Sequence, residues 1–190
     1  MLRPDYPITT ARLLLRPFTP DDLDALNSFQ SRTDVARYLY WAPRSRAESA
    51  AALAKRIHSS TLTKEGQFLA VAVELAATGK LIGDLNLEWV SSEHRQGEIG
   101  FVFHPDHHGK GLAAEAVTEL LRLGFEDLGL HRIVGRCDGR NEASIALMDR
   151  LGMRKEAHLK ENEFVKGEWT DELIYAMLED EWKDLQAAQD

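Results

Sequence analysis

The stretch His108-Gly109-Lys110-Gly111-Leu112-Ala113 constrains this chain more than any other. An apolar run, Ile99 to Phe103, precedes it, and an amphipathic segment, Ala113 to Leu128, follows. Strand, glycine turn and helix in that order gather unpaired backbone N–H groups at a helix N-terminus, where the helix dipole is positive. Such a point suits a phosphate or pyrophosphate. Gly109 and Gly111 permit unusual φ and close approach of a ligand to the backbone, and Lys110 adds a positive charge. Two familiar phosphate loops are excluded. A P-loop needs Gly-Lys followed by Ser or Thr, but Gly111 follows Lys110; a dinucleotide fingerprint needs a third glycine, and position 114 is Ala.

The rest of the chain predicts a mixed sheet. Thr10 to Phe18 reads as a first strand, ended by Pro17 and Pro20. Thr19 is placed to cap a helix through Ala25, Leu26 and Phe29, with Pro20 at its first position. Ser45 begins an alanine-rich helix to about Leu62. Gln67 to Leu75 reads as a strand buried on both faces, and Thr78-Gly79 turns the chain into Leu81 to Trp89. Ser91 to Gln96 is a loop, and Glu98 to Phe103 the next strand. Apolar residues at 113, 116, 117, 120, 121, 125 and 128 give the following helix its 3.6-residue period, with Gly129 as its stop. Arg132 to Cys137 is a short strand. Asn141 caps a helix through Leu151, ended by Gly152. Residues 153–164 and 172–178 form a hairpin around Lys166-Gly167, and Glu179 to Asp190 is a terminal helix or frayed end. The fold class is α+β or α/β, a mixed sheet with helices on both sides.

Bulk properties narrow the function. The 190 residues suit one domain, with a core of about 9–180. The formal net charge of −8 argues against nonspecific nucleic-acid binding, which needs excess Lys and Arg. The single cysteine, Cys137, forbids an intrachain disulfide and fits a reducing, cytoplasmic setting. No signal-like N-terminus or membrane-length apolar run is present. His104, His107 and His108 match no helix-based zinc spacing and no cysteine assists them, so no metal is expected.

Four segments, in order and spacing, resemble the GNAT acetyltransferases, and more closely their ribosomal-protein N-acetyltransferase (RimJ/RimL-like) branch. They are Thr10-Ala11-Arg12-Leu13-Leu14-Leu15-Arg16-Pro17; Gly97-Glu98-Ile99-Gly100-Phe101; His108 to Ala113 running into Ala114-Glu115-Ala116; and Asn141-Glu142-Ala143-Ser144 leading to Leu151-Gly152-Met153. The resemblance implies a central, mostly antiparallel mixed sheet of about seven strands. It also implies acetyl-CoA as cosubstrate. By it, the amides of Gly109, Lys110, Gly111, Leu112 and Ala113 hold the pyrophosphate. His108 stands where Gln or Arg is usual and can still donate to phosphate. Phe101, Val102 and Phe103 pair with the pantetheine arm, and their strand splays from Ile133-Val134 to admit the thioester.

Asn141 and Ser144 read either as an ordinary helix start or, by resemblance, as contacts to the cofactor and its sulfur. The tyrosine that many members place seven residues after the Asn is Met148 here, and the resemblance to the ribosomal branch implies Ser144 as candidate acid. A CoA thiolate leaves readily enough that an acid is optional. Two carboxylates compete as general base, with a water relay as the alternative: Glu163, matching the branch's proposed base, and Glu98, just before the cofactor strand. An α-amine, with pKa about 7.7–8.0, is already partly neutral at pH 7, whereas a lysine almost never is. The resemblance implies a protein or peptide N-terminus as acceptor, and this chemistry supports it. A small amine such as a polyamine, amino acid or aminoglycoside is the alternative, and a non-catalytic acyl-CoA-binding module a third reading. Tyr38, Tyr40 and Trp41 could line the acceptor entrance, and the last strand and terminal helix could carry a homodimer interface. No nucleic-acid or membrane partner is expected.

Overall fold

A computed structural model describes residues 1–188. Its strands are β1 (Ile8–Thr9), β2 (Leu13–Arg16), β3 (Phe68–Leu75), β4 (Lys80–Ser91), β5 (Gln96–Phe103), β6 (Arg132–Asp138), β7 (Arg154–Val165) and β8 (Glu168–Leu178). The helices are α1 (Leu23–Gln30), α2 (Thr33–Ala36), α3 (Arg46–Ile57), α4 (Leu112–Arg122), α5 (Glu142–Arg150) and α6 (Glu179–Ala187). The strands form one eight-stranded sheet in the order β1-β2-β3-β4-β5-β6-β8-β7. The eighth strand is β1, two residues paired with β2 and too short to leave a period in the sequence.

Neighbouring strands are antiparallel, except where α4 carries the chain from β5 over to β6. That crossover forces a parallel pair. Its register runs from Gln96↔Arg132 to Ile99↔Gly135 and stops. Beyond it, β5 stays with β4 to Phe103, while β6 follows β8 to Asp138↔Glu172. The two strands part in the middle of the sheet.

Alternation along β3 explains how both faces are covered. Leu69, Val71 and Val73 join the larger core with Ala116, Val117, Leu120 and Leu121 of α4. Ala70 and Ala72 join a smaller core with Leu26 and Phe29 of α1 and Leu53 of α3. Helices therefore lie on both sides of β3 and β4, as the sequence predicts.

Several boundaries differ from expectation: the first strand is confined to Leu13–Arg16 because Pro17 cannot donate to the ladder, and Pro20–Asp22 is a 3-10 turn before α1 begins at Leu23. Ser45 does cap α3, accepting from Glu48 N–H while the Glu48 carboxylate accepts from Ser45 N–H at 2.8 Å. The helix nevertheless ends at Ile57 rather than near Leu62. Ser59, Ser60 and Thr61 favour non-helical backbone, and Leu62 pairs instead with Leu2 (N···O 2.8 and 2.9 Å). The predicted Ala113–Leu128 helix is α-helical only to Arg122. A π turn, Leu123–Asp127, follows, and Leu128 N–H bonds Leu123 C=O at 2.9 Å. The turn brings Gly124 onto β6, where a Cβ would lie 2.5 Å from Ile133 Cδ1. The final hairpin is longer than predicted: beside the exposed turn at Lys166 and Gly167, Phe164 and Trp169 pair across the strands with their rings 5.3 Å apart, a contact between strands that no period in the chain announces.

Candidate active site

Where β5 and β6 part, a cleft of about 570 Å³ opens through the sheet. Phe101, Val102 and Phe103 form one wall, Asn141, Ala143, Ser144 and Leu147 of α5 another, and Gly109, Gly111, Leu112 and Ala113 its end. Val35, Tyr38 and Leu39 complete the opposite rim. The one-sided pairing of Gly100 to Phe103 leaves backbone groups free on the β6 side, a strand edge suited to a peptide-like arm.

The loop before α4 has the geometry its glycines suggest. Gly109 and Gly111 adopt φ of 71° and 74°, conformations that side-chain-bearing residues rarely take. Among the described residues, the amides of Gly109, Lys110 and Gly111 donate to no protein acceptor. The first-turn amides of α4, from Leu112 onward, have no acceptor within the helix either. This concentration of free N–H groups at one end of an apolar cleft fits an anionic pyrophosphate on a pantetheine-like arm. The His108 Nε2 bonds the Phe103 carbonyl at 3.1 Å, so the ring ties the loop to the end of β5. Lys110 Nζ donates to Asp106 C=O at 2.7 Å. His104 is buried, and its Nδ1 accepts from Asp106 N–H at 3.2 Å.

Asn141 Oδ1 accepts from Ser144 N–H at 3.2 Å, so the capping role is the one its side chain performs here. Ser144 is half-buried in the cleft wall, and among the described residues its hydroxyl has no partner. Met148, in place of the family's tyrosine, is fully buried; a Cβ on Gly135 would lie 2.8 Å from its sulfur.

The face of the sheet opposite α4 is acidic at the same place. Glu98 lies on β5 just before the strands part, and its carboxylate accepts from Arg136 Nε of β6 at 3.0 Å. Arg136 Nη1 also donates to the buried Glu172 of β8 at 3.2 Å, and Asn162 Nδ2 donates to the other Glu172 oxygen at 2.9 Å. Burial pushes the Glu98 carboxyl above its ordinary range. Arg136 opposes that shift, and nearby Glu88 and Glu172 reinforce it. Glu163, on β7, is half-buried and accepts from the Tyr40 hydroxyl at 2.9 and 2.8 Å. Partial desolvation and then that carboxylate raise the phenol of Tyr40, which stays largely exposed, above its usual value. Lys166 Nζ reaches Ala36 C=O at 2.5 Å, and Arg140 lies over the Tyr38 ring. The segment after α1 is thus fastened to the final hairpin across the cleft mouth. Trp41 sits instead under Arg44, 4.3 Å from its guanidinium.

Sequence reasoning misses Arg136 and Glu172, which flank Glu98 only once three strands are side by side. It also misses Asn86, whose amide stands over Gly100; a Cβ there would come within 2.4 Å of Asn86 Oδ1. The one sequence signal was the glycine itself, inside a strand where close approach is its usual reason.

The chain matches the acetyltransferase (GNAT) domain family over residues 12–154. It is 35% identical over 177 residues to an uncharacterized N-acetyltransferase of Bacillus subtilis, YnaD, covering 92% of this chain and 98% of that one. A GNAT-family acetyltransferase structure from Bacillus anthracis superposes with a TM-score of 0.82 at 31% identity, covering 91% and 98%. A spermidine N-acetyltransferase of Vibrio cholerae, solved with CoA and spermine, superposes with a TM-score of 0.77 at 26% identity, covering 92% and 99%. The mixed sheet that parts between β5 and β6 belongs to a fold shared with these acetyltransferase structures. The chain belongs to the GNAT acetyltransferase family and is an N-acetyltransferase of that type.

Proposed function

We propose that this protein transfers the acetyl group of acetyl-CoA directly to the α-amine of a protein or peptide N-terminus. The observation that carries this acceptor is the state of the two candidate bases. Glu98 is bonded to Arg136 and Glu163 to Tyr40, so each candidate base is already engaged by another side chain. An acceptor that is already partly neutral, as an α-amine with pKa about 7.7–8.0 is, asks least of such a site. The free amides at Gly109 to Gly111 support the pyrophosphate assignment, and the open edge of Phe101 to Phe103 supports the pantetheine assignment. The amine approaches from the acidic face and attacks the thioester carbonyl where β5 and β6 part. Glu98 takes the proton the amine loses, and the CoA sulfur leaves as thiolate.

A small polyamine is the second reading. The carboxylates of Glu88, Glu98, Glu163 and Glu172 on one side of the cleft favour a polycation, and the V. cholerae relative is named for spermidine. A panel of peptides starting in Ser, Ala, Thr or Met, beside spermidine and free amino acids, separates the two. Thiol release on a peptide class, lost when its N-terminus is blocked, is the expected result. Turnover confined to spermidine gives the second reading.

On this scheme Ser144, in the cleft wall, stands near the leaving sulfur but is dispensable. Ser144→Ala is expected to keep kcat within about tenfold, because an obligatory general acid would be worth about 10²–10⁴-fold. A larger loss, measured under saturating substrates, would make its hydroxyl the proton donor.

A further inference from the structure

Glu115, in the first turn of α4, is a carboxylate beside a loop built for an anion, and alone it would repel that anion. It is instead saturated from the segment before β2. Glu115 Oε1 accepts from the Thr10 hydroxyl at 2.5 Å and from Arg12 N–H at 2.8 Å, while Oε2 accepts from Arg12 Nε at 2.7 Å. The same guanidinium donates through Nη1 to Lys110 C=O at 2.9 Å, inside the glycine loop. Its Nη2 lies 3.5 Å from where a Gly111 side chain would begin. One arginine therefore touches the loop, the helix that follows it and the carboxylate that would oppose its ligand. The segment is itself fixed to the sheet, with Thr10 N–H bonded to Leu13 C=O at 3.0 Å and Leu13 paired with Leu75.

We propose that Arg12 and Glu115 are positioning residues for the pyrophosphate half of the cosubstrate. They hold the loop amides in their binding geometry from outside the cleft, and Arg12 cancels the charge of Glu115. The proposal rests on the acetyl-CoA reading above. The guanidinium gives Glu115 one charge-assisted bond and the Arg12 backbone N–H gives it a second, which holds the carboxylate more firmly than a lone surface pair. It also accounts for an arginine at position 12 that binds neither core nor cleft.

The test measures affinity for CoA and for pantetheine, which lacks the pyrophosphate and nucleotide, by calorimetry on the full chain. Arg12→Ala is expected to lower the ratio of CoA to pantetheine affinity by about tenfold or more, since small misplacements of preorganised groups carry large penalties. Arg12→Lys keeps the charge but not the fork to Glu115 and Lys110, and is expected to fall between. Adding Glu115→Gln to Arg12→Ala is expected to restore part of the CoA affinity by removing the uncompensated carboxylate. A ratio unchanged in both Arg12 variants, or CoA and pantetheine weakened equally, overturns the positioning role even if the ligand-free unfolding midpoint falls. Wild-type protein that binds pantetheine no worse than CoA would sink the acetyl-CoA reading itself.

Discussion

Glu98→Gln is expected to lower kcat/KM at neutral pH by about a hundredfold or more, the scale of a lost general base. The carboxyl is half-buried on the acidic face, immediately before the last β5–β6 pair, so an amine reaching the opened strands passes beside it. Burial raises its pKa, with Glu88 and Glu172 adding to the effect and Arg136 limiting it. A base lifted towards the working pH accepts a proton more effectively than an ordinary surface carboxylate. The wild-type rate should therefore rise with pH along a limb lying above the normal carboxylate range of about 4.3, and Glu98→Gln should flatten that limb. Glu163→Gln makes the contrast. Its partner is the exposed Tyr40, and its loss is expected to raise the KM for acceptor while leaving the acid limb in place. Full pH profiles of both variants decide the matter: an acid limb that vanishes with Glu163 and survives without Glu98 would reverse the two roles.

The parts of this site that are local in the chain are legible in the sequence, and those assembled across strands are not. Gly109 and Gly111 announce their left-handed turns, and the 3.6-residue period from Ala113 fixes the helix behind them, because turn chemistry and amphipathic pattern are short-range properties. Asn141 and Gly152 bracket α5 for the same reason. His108 shows the limit even within the loop. Its residue type allows a phosphate contact, and nothing in the pattern announces its bond to the Phe103 carbonyl five residues earlier. Glu98, Arg136 and Glu172 become neighbours only through the β5–β6 and β6–β8 registers. Tyr40 and Glu163 meet across 123 residues. Which of two glutamates is desolvated depends on those registers, and no periodicity encodes them. The π turn after Arg122 is hidden likewise, since its cause is the approach of Gly124 to Ile133 on another element.

Arg16→Met is expected to cost about 3–5 kcal/mol of stability, the range for removing one partner of a buried ion pair. Asp22 is 5% exposed, and Arg16 grips it with two bonds, Nη1 to Oδ2 at 2.9 Å and Nη2 to Oδ1 at 2.8 Å. Arg16 Nε also binds Glu74 of β3 at 2.7 Å. The pair thus joins β2 and β3 to the turn that launches α1, and α1 buries Leu26 and Phe29 on the face of the sheet opposite α4. Burial alone would push the Asp22 carboxyl up, but the bonds from Arg16 and from Thr19 N–H hold it below the ordinary value. A carboxyl whose folded pKa is depressed contributes stability that is present above its unfolded pKa, about 3.9, and lost as pH falls through the folded one. In the methionine variant the uncompensated Asp22 is driven the other way, so protonation relieves it. The gap between wild type and variant should accordingly be widest near neutrality and narrow towards acid, as read from urea unfolding at a series of pH values. Asp22→Asn added to Arg16→Met should recover part of the loss, because the cost lies in the stranded charge more than in the missing bonds. A loss under about 1 kcal/mol that does not vary with pH would place the pair among ordinary solvated bridges. The ordering of α1, and of the segment after it that borders the cleft, would then have to come from the apolar contacts of Leu26 and Phe29.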